Sequence, residues 1–236
     1  MLGFFVVSTG FTQEPLQSST IELSMMDECI DDMFNNCIKE MEEQVQKIYF
    51  PRELKNENFK MAWDLSEDCA KQRLQRMQRK YSGLTINHTR AICVYTEEEP
   101  NMYVPLNAAL RRGAAKYNTT DFQYHALYFW LTTALQILKS SNTAYRKTWD
   151  VYNGQVNQTI RFGYFASSSL KPDLSGFGNT TCFHIKTQLG AYIEDHSAVK
   201  GEDEVLIPSY EKFKIIKIVP DSYGELNCTK SLCWRV

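Results

Sequence analysis

Gly201-Glu202-Asp203-Glu204-Val205-Leu206-Ile207-Pro208 is the stretch that decides how this chain reads. Two glutamates, two positions apart, run directly into a short apolar segment that stops at a proline. Val205-Leu206-Ile207 reads as a short buried strand, and Pro208 marks its end. Strand alternation would put Glu202 and Glu204 on one face and point Asp203 away, where it should matter little. The two acids then stand at the mouth of a strand, suited to acid–base work or to stabilising a developing cation. Charged residues flanking a strand are common on any surface, so the pair needs a frame before it means chemistry.

Composition narrows the classes. The chain has 236 residues, 43% hydrophobic and 23% charged, as a globular protein does. A formal net charge of −2 supplies no basic excess to neutralise phosphates, which argues against a nucleic-acid partner. No run approaches the roughly 18 apolar residues that span a bilayer. Leu2-Gly3-Phe4-Phe5-Val6-Val7, followed by Ser8-Thr9-Gly10, reads as a signal segment over residues 1–10 without its basic n-region. Five glycosylation sequons, at Asn87, Asn118, Asn157, Asn179 and Asn227, point the same way. So do seven cysteines (Cys29, Cys37, Cys69, Cys93, Cys182, Cys228, Cys233) with no CxxC pair: disulfides are more natural than zinc, and no metal site is expected. A hydrophobic lipid-anchor tail is not visible before Val236, so the expected product is secreted.

The texture changes along the chain. Residues 26–46, 59–81, 107–117 and 121–138 carry apolar residues at helical spacing, with Asp121 near the cap of the last helix. After Thr148 come short β-rich runs at 149–152, 159–165, 181–189, 204–207 and 213–219. Helices first and strands later, without βαβ alternation, give an α+β fold, and no linker divides residues 11–236. Gly176-Phe177-Gly178 lacks the third glycine of a dinucleotide fingerprint, and no Walker sequence is present. The histidines His125, His184 and His196 are scattered and read as structural or exposed.

Three segments in order supply the frame: Val151-Tyr152-Asn153-Gly154, then Arg161-Phe162-Gly163-Tyr164-Phe165-Ala166-Ser167-Ser168-Ser169-Leu170, then Glu202–Pro208. Together they resemble the signature of the vertebrate arginine-specific mono-ADP-ribosyltransferases: an arginine in Tyr-Arg-Gly, a serine in Phe-x-Ser-x-Ser, and Glu-x-Glu before Val-Leu-Ile-Pro. The likeness extends to Phe177-Gly178-Asn179, Leu189-Gly190-Ala191, Ala91–Thr96 and the helix over 124–138. It implies a helical N-terminal half packed on a β-rich NAD-binding core, NAD (or NADP) as substrate, and arginine-bearing proteins as acceptors. A monomer is expected. Glu204 takes the family's catalytic place, Glu202 orients the acceptor guanidinium, and Ser167 holds the ribose or Glu204. Tyr95, Asn153, Tyr164, Ser167, Phe177 and Ser197 are the implied nucleotide contacts.

The chain departs from the family pattern in two respects. Asn153 occupies the place of the signature arginine, and loss of a charge-assisted phosphate contact costs about 1.5–3 kcal/mol, so reduced activity is expected. Two other readings therefore stay open: an NAD glycohydrolase, and a silent binding protein. The family's second disulfide falls on Thr148 and Gln188, and the first would run from Cys37 to Cys228 or Cys233.

Overall fold

The computed structural model describes residues 20–77, 80–173, 176–220 and 228–236. The apolar run at residues 2–7 and the sequon at Asn227 lie outside them. The helical half comprises α1 (Ile38–Gln44), a π-helical turn (Val45–Tyr49), α2 (Phe50–Glu53), α3 (Glu57–Met77), α4 (Ile86–Thr96), α5 (Tyr103–Arg111) and α6 (His125–Leu138). The expected first helix from Met26 is corrected. Met26, Phe34 and Asn36 all have positive φ, a conformation that ends helical hydrogen bonding, so helix begins only at Ile38.

The strands are β1 (Thr20–Glu22), β2 (Asn142–Thr148), β3 (Val151–Asn153), β4 (Thr159–Arg161), β5 (Ala166–Ser169), β6 (Thr181–Thr187), β7 (Ala191–Tyr192), β8 (Glu204–Ile207), β9 (Lys212–Pro220) and β10 (Lys230–Arg235). Eight form one sheet in the order β4-β9-β10-β6-β2-β5-β8-β7, while β1 and β3 pair in parallel as a separate ribbon. Most neighbours in the sheet share several rungs. β2 and β5 share one, Tyr145–Ser169, and then part.

α6 packs across this sheet, and its apolar side chains join those of α4, β5, β6 and β8 in one continuous core. Trp63 and Trp130 stack at 5.0 Å within it, and Trp234 of β10 meets Phe183 at 4.6 Å. The cap of α6 is not Asp121. Glu53, buried at the end of α2, accepts the Ala126 backbone N–H at 3.2 and 3.1 Å. Burial pushes the Glu53 carboxyl up to about 8, against the backbone donors and Arg52, which favour its charge. A tertiary carboxylate thus fills a role that sequence assigns to a local residue.

The disulfide expectation is also corrected. Cys69 joins Cys93, tying α3 to α4, and Cys182 joins Cys228. β10 runs parallel to β6 with Ser231 beside Cys182, which brings Cys228 within reach of the same residue. Cys37 is an exposed free thiol. Thr148 pairs with Thr181, whereas Gln188 follows Thr187 at the far end of the β2–β6 ladder, so those two positions do not face each other.

Gly178 shows how tightly the turn after β2 is held. Its φ is +108°, and a Cβ there would lie 2.2 Å from the Thr148 carbonyl carbon and 2.5 Å from the Trp149 nitrogen. We expect Gly178→Ala to lose well over 1 kcal/mol of stability, since both backbone strain and a backbone clash oppose it. Thermal denaturation checks this; an unchanged midpoint would mean that the two segments are not packed this closely.

Candidate active site

Where β2 and β5 part, a cleft opens between the sheet and α4–α5. One lobe has a volume of about 390 Å³ and a second about 60 Å³, and both are lined by Arg146, Ser167, Phe177, Glu202 and Glu204. The larger lobe is of a size that suits a small-molecule ligand. Arg146, Ser167 and Glu204 reach it from strands, which fix side-chain direction better than a loop would, while α4, α5 and the connecting loops supply the rest of the larger lobe.

Glu204 opens β8 and is only 5% exposed. Burial raises its carboxyl to about 7; the hydroxyls of Ser167 and Ser197 draw it down, while Glu202 and Glu194 push it up. Ser197 is buried beside the carboxylate, although its hydroxyl makes no hydrogen bond of good geometry. Glu202 is partly exposed. Burial raises it too, with Glu194 and Glu98 adding like charge.

The strand-alternation argument for the two acids is corrected. Asp203 has φ +48°, and the strand begins only at Glu204. Both glutamates still line the cleft, but a left-handed turn delivers Glu202 there, not the pleat. Asp203 does not point idly outward either: it accepts the Tyr192 hydroxyl at 2.9 Å and pairs with Lys171 at 2.7 Å.

Arg146 is the residue that sequence reasoning missed. It leaves β2 toward the gap and donates Nη1–H to the Ser167 carbonyl at 2.6 Å, bridging strands that no longer pair. Burial works against its charge, and the hydroxyls of Tyr164 and Tyr152 counter that, so its guanidinium stays ionised. Burial likewise favours the neutral Tyr164, but Arg146 and Arg111 together hold its hydroxyl below the usual tyrosine range. The Arg111 guanidinium lies 3.8 Å over the Tyr164 ring.

Asn153 is not at this site. It sits on β3 against β1, donates Nδ2–H to Glu22 at 3.0 Å and accepts from Lys230 at 3.1 Å. Tyr145-Arg146-Lys147 also carries a Tyr-Arg pair, without the glycine that follows it in the signature. The polar run Asn142-Thr143-Ala144-Tyr145 does not look like a strand, so the nearer Tyr152-Asn153-Gly154 took its place.

The remaining expected contacts divide. Phe177, 48% exposed, presents its ring to both lobes. Tyr164 and Tyr95 line the larger lobe. Tyr95 also supports the backbone, since its hydroxyl donates to the Phe165 carbonyl at 2.7 Å, while Asn107 donates to that carbonyl and accepts the Phe165 N–H, both at 3.1 Å. Among the described residues no group of three His, Cys, Asp or Glu side chains is placed to hold a metal ion.

A buried carboxylate beside two serines, a guanidinium across the cleft and an exposed aromatic ring together line a polar cleft able to take a small-molecule ligand. Known proteins of similar sequence and fold agree. The family model described as NAD:arginine ADP-ribosyltransferase matches residues 23–226. Ecto-ADP-ribosyltransferase 5 of Bos taurus is 32% identical, over 95% of this chain and 76% of its own length. T-cell ecto-ADP-ribosyltransferase 1 of Mus musculus is 34% identical, over 83% of this chain and 68% of its own. The crystal structure of the eucaryotic mono-ADP-ribosyltransferase ART2.2 superposes with a TM-score of 0.74 at 28% identity, covering 92% of this chain and 94% of that one. A variant of that enzyme in complex with NAD matches equally well. The chain belongs to the NAD:arginine ADP-ribosyltransferase family. It is an NAD-dependent mono-ADP-ribosyltransferase acting on arginine, and NAD is its substrate.

The raised Glu204 carboxyl has two consequences. kcat/KM for NAD should climb with pH and level off above about 7, as the free enzyme's Glu204 ionises. Stability should show the opposite sign. A carboxyl raised from 4.5 to about 7 favours folding below the lower value, and that contribution is lost as pH rises through the upper one, a span worth about 3 kcal/mol. At pH 8, therefore, Glu204→Gln should be more stable than the parent by up to about 3 kcal/mol, and at pH 4 the two should converge. Denaturant titrations at both pH values test this; equal stability at pH 8 would mean Glu204 is not desolvated.

Proposed function

We propose that Glu204, Ser167 and Arg146 together carry NAD cleavage, and that Glu202 directs the released ADP-ribosyl group to an arginine side chain of an acceptor protein. The observation behind this reading is their convergence at the gap between β2 and β5. Breaking the C1′–nicotinamide bond sends the electron pair to the leaving nicotinamide and develops positive charge on the ribose, as in glycoside cleavage. An ionised Glu204 stabilises that charge, and Ser167 keeps its carboxylate aimed. Arg146 grips the diphosphate by charge-assisted hydrogen bonds, beside the Tyr164–Arg111 pair. Phe177 packs on the nucleotide.

Attack by a guanidine nitrogen on C1′ completes the transfer, and the nitrogen's proton must leave. Arginine is almost wholly protonated at neutral pH, so a base is required. Glu202 is that base. It is half-exposed, at the rim where a side chain of another protein can reach it, and its raised carboxyl suits it to accept a proton. With Glu202→Gln, arginine transfer should fall at least tenfold while NAD hydrolysis persists; equal loss of both would end this division of labour.

The case for a silent binding protein rested on Asn153, and a guanidinium at the cleft, that of Arg146, speaks against it. We therefore expect Arg146→Lys to lower kcat/KM for NAD roughly ten- to a hundredfold, the scale of a lost charge-assisted fork. Asn153→Arg should leave NAD affinity within about twofold, because its side chain serves the β1–β3 ribbon. Calorimetry with NAD and transfer to agmatine measure both; a large gain in Asn153→Arg would restore the other assignment. Residues 11–236 act as one catalytic unit in this reading, working as a monomer in the extracellular space, a setting that two disulfides among the described residues support.

A further inference from the structure

Asp203 lies between the two working glutamates and lines neither lobe of the cleft, yet it gathers a dense set of polar contacts. Its carboxylate accepts the Tyr192 hydroxyl from β7 at 2.9 Å and pairs with Lys171, just past β5, at 2.7 Å. Its carbonyl accepts the Leu170 N–H at 3.0 Å. Lys171 reaches on to the Gly201 carbonyl at 3.0 Å, and the Ser169 hydroxyl donates to the Glu202 carbonyl at 2.5 Å. Ser169 is itself held by the Lys171 N–H at 2.9 Å. So every backbone carbonyl from Gly201 to Asp203 is tied to the end of β5 or to the two residues after it.

Backbone geometry makes this anchoring necessary. Gly201 has φ +93° and Asp203 φ +48°, so the turn departs twice from the conformations that most residues prefer. Aspartate is one of the few residues that tolerates a left-handed φ, and here its side chain also holds the turn in place. Without the clamp, Asp203 would relax toward extended backbone, the strand would lengthen, and Glu202 would swing. Glu204 would not, because its backbone pairs with Ser169 of β5 and accepts the Ile193 N–H at 2.9 Å, contacts that do not involve the Asp203 side chain.

We propose that Asp203, with Tyr192 and Lys171, is a positioning device for Glu202, and that it sets how the cleaved ADP-ribosyl group partitions between an arginine acceptor and water. The inference rests on the acceptor role given to Glu202 above. The Asp203–Lys171 pair is partly exposed, with side chains 32% and 46% accessible, so it contributes little to global stability. Its effect is on where a carboxylate points.

Asp203→Gly, Asp203→Asn and Tyr192→Phe test this against wild type, with transfer to agmatine, NAD hydrolysis without acceptor, and thermal midpoint all measured. Glycine keeps the left-handed backbone and removes both arms; asparagine keeps the backbone and an acceptor for Tyr192 but loses the charge opposite Lys171. Expected is a fall in the transfer-to-hydrolysis ratio of roughly three- to tenfold for glycine and less for asparagine and Tyr192→Phe, with KM for agmatine rising. KM for NAD and the hydrolysis rate should stay near wild type. A parallel loss of both activities with a lowered midpoint, or an unchanged ratio in Asp203→Gly, overturns the proposal. Failure of the underlying reading looks different: wild type would then hydrolyse NAD and show no transfer to agmatine at all.

Discussion

β2 and β5 share one rung and then separate, and the site exists because of that separation. A sheet that kept pairing would satisfy its backbone and leave no space. Here the Ser167 carbonyl loses its ladder partner on that side, and an unsatisfied buried acceptor is costly. Arg146 supplies the missing donor, so one hydrogen bond both repairs the gap and fixes a guanidinium in the cleft wall. Just before β5, Tyr95 and Asn107 pin the Phe165 peptide, which sets where the strand begins and therefore where Ser167 faces. The opening is held apart from both sides.

Electrostatics in the cleft reflect a contest between burial and partners. Glu204 is desolvated enough to sit near neutrality, yet two hydroxyls keep its charged form accessible. A carboxylate in that balance costs the fold stability in the pH range where it works. Its charge is least screened there, and so most effective on a developing cation. Arg146 and Tyr164 show the reverse pairing: burial disfavours either ion alone, and each makes the other's charge easier to keep.

Much of this was legible in the sequence where side-chain pattern and backbone agree. Val205–Ile207 is a strand because it is continuously apolar and fully buried, and α3 and α6 fall close to their helical periodicity. Reading failed where tertiary context overrode local pattern. β2 is polar because β5 leaves it and its face lines a cleft, so no alternation marked it, and Arg146 was overlooked with it. The helix expected from Met26 stopped at residues of positive φ that no local propensity announces. Glu53 caps α6 from far away in sequence, and Cys228 finds Cys182 through the parallel register of β10 on β6. In most of these misses a long-range contact replaces a local one.

The Glu-Asp-Glu segment shows the same override at the level of chemistry. Regular strand geometry would have made Glu202 and Glu204 neighbours on one face, alike in burial and repelling each other at close range. The left-handed turn at Asp203 makes them unlike. Glu204 is enclosed by β5, β7 and Ser197, while Glu202 stays at the rim among Glu98 and Glu194. Environments that differ in this way are what allow two identical carboxyl groups to take different roles at one pH. In the proposed mechanism one carboxylate faces a sugar cation inside the cleft, and the other meets a guanidinium arriving from outside. A single residue of irregular backbone, anchored to the neighbouring strands, is enough to separate them.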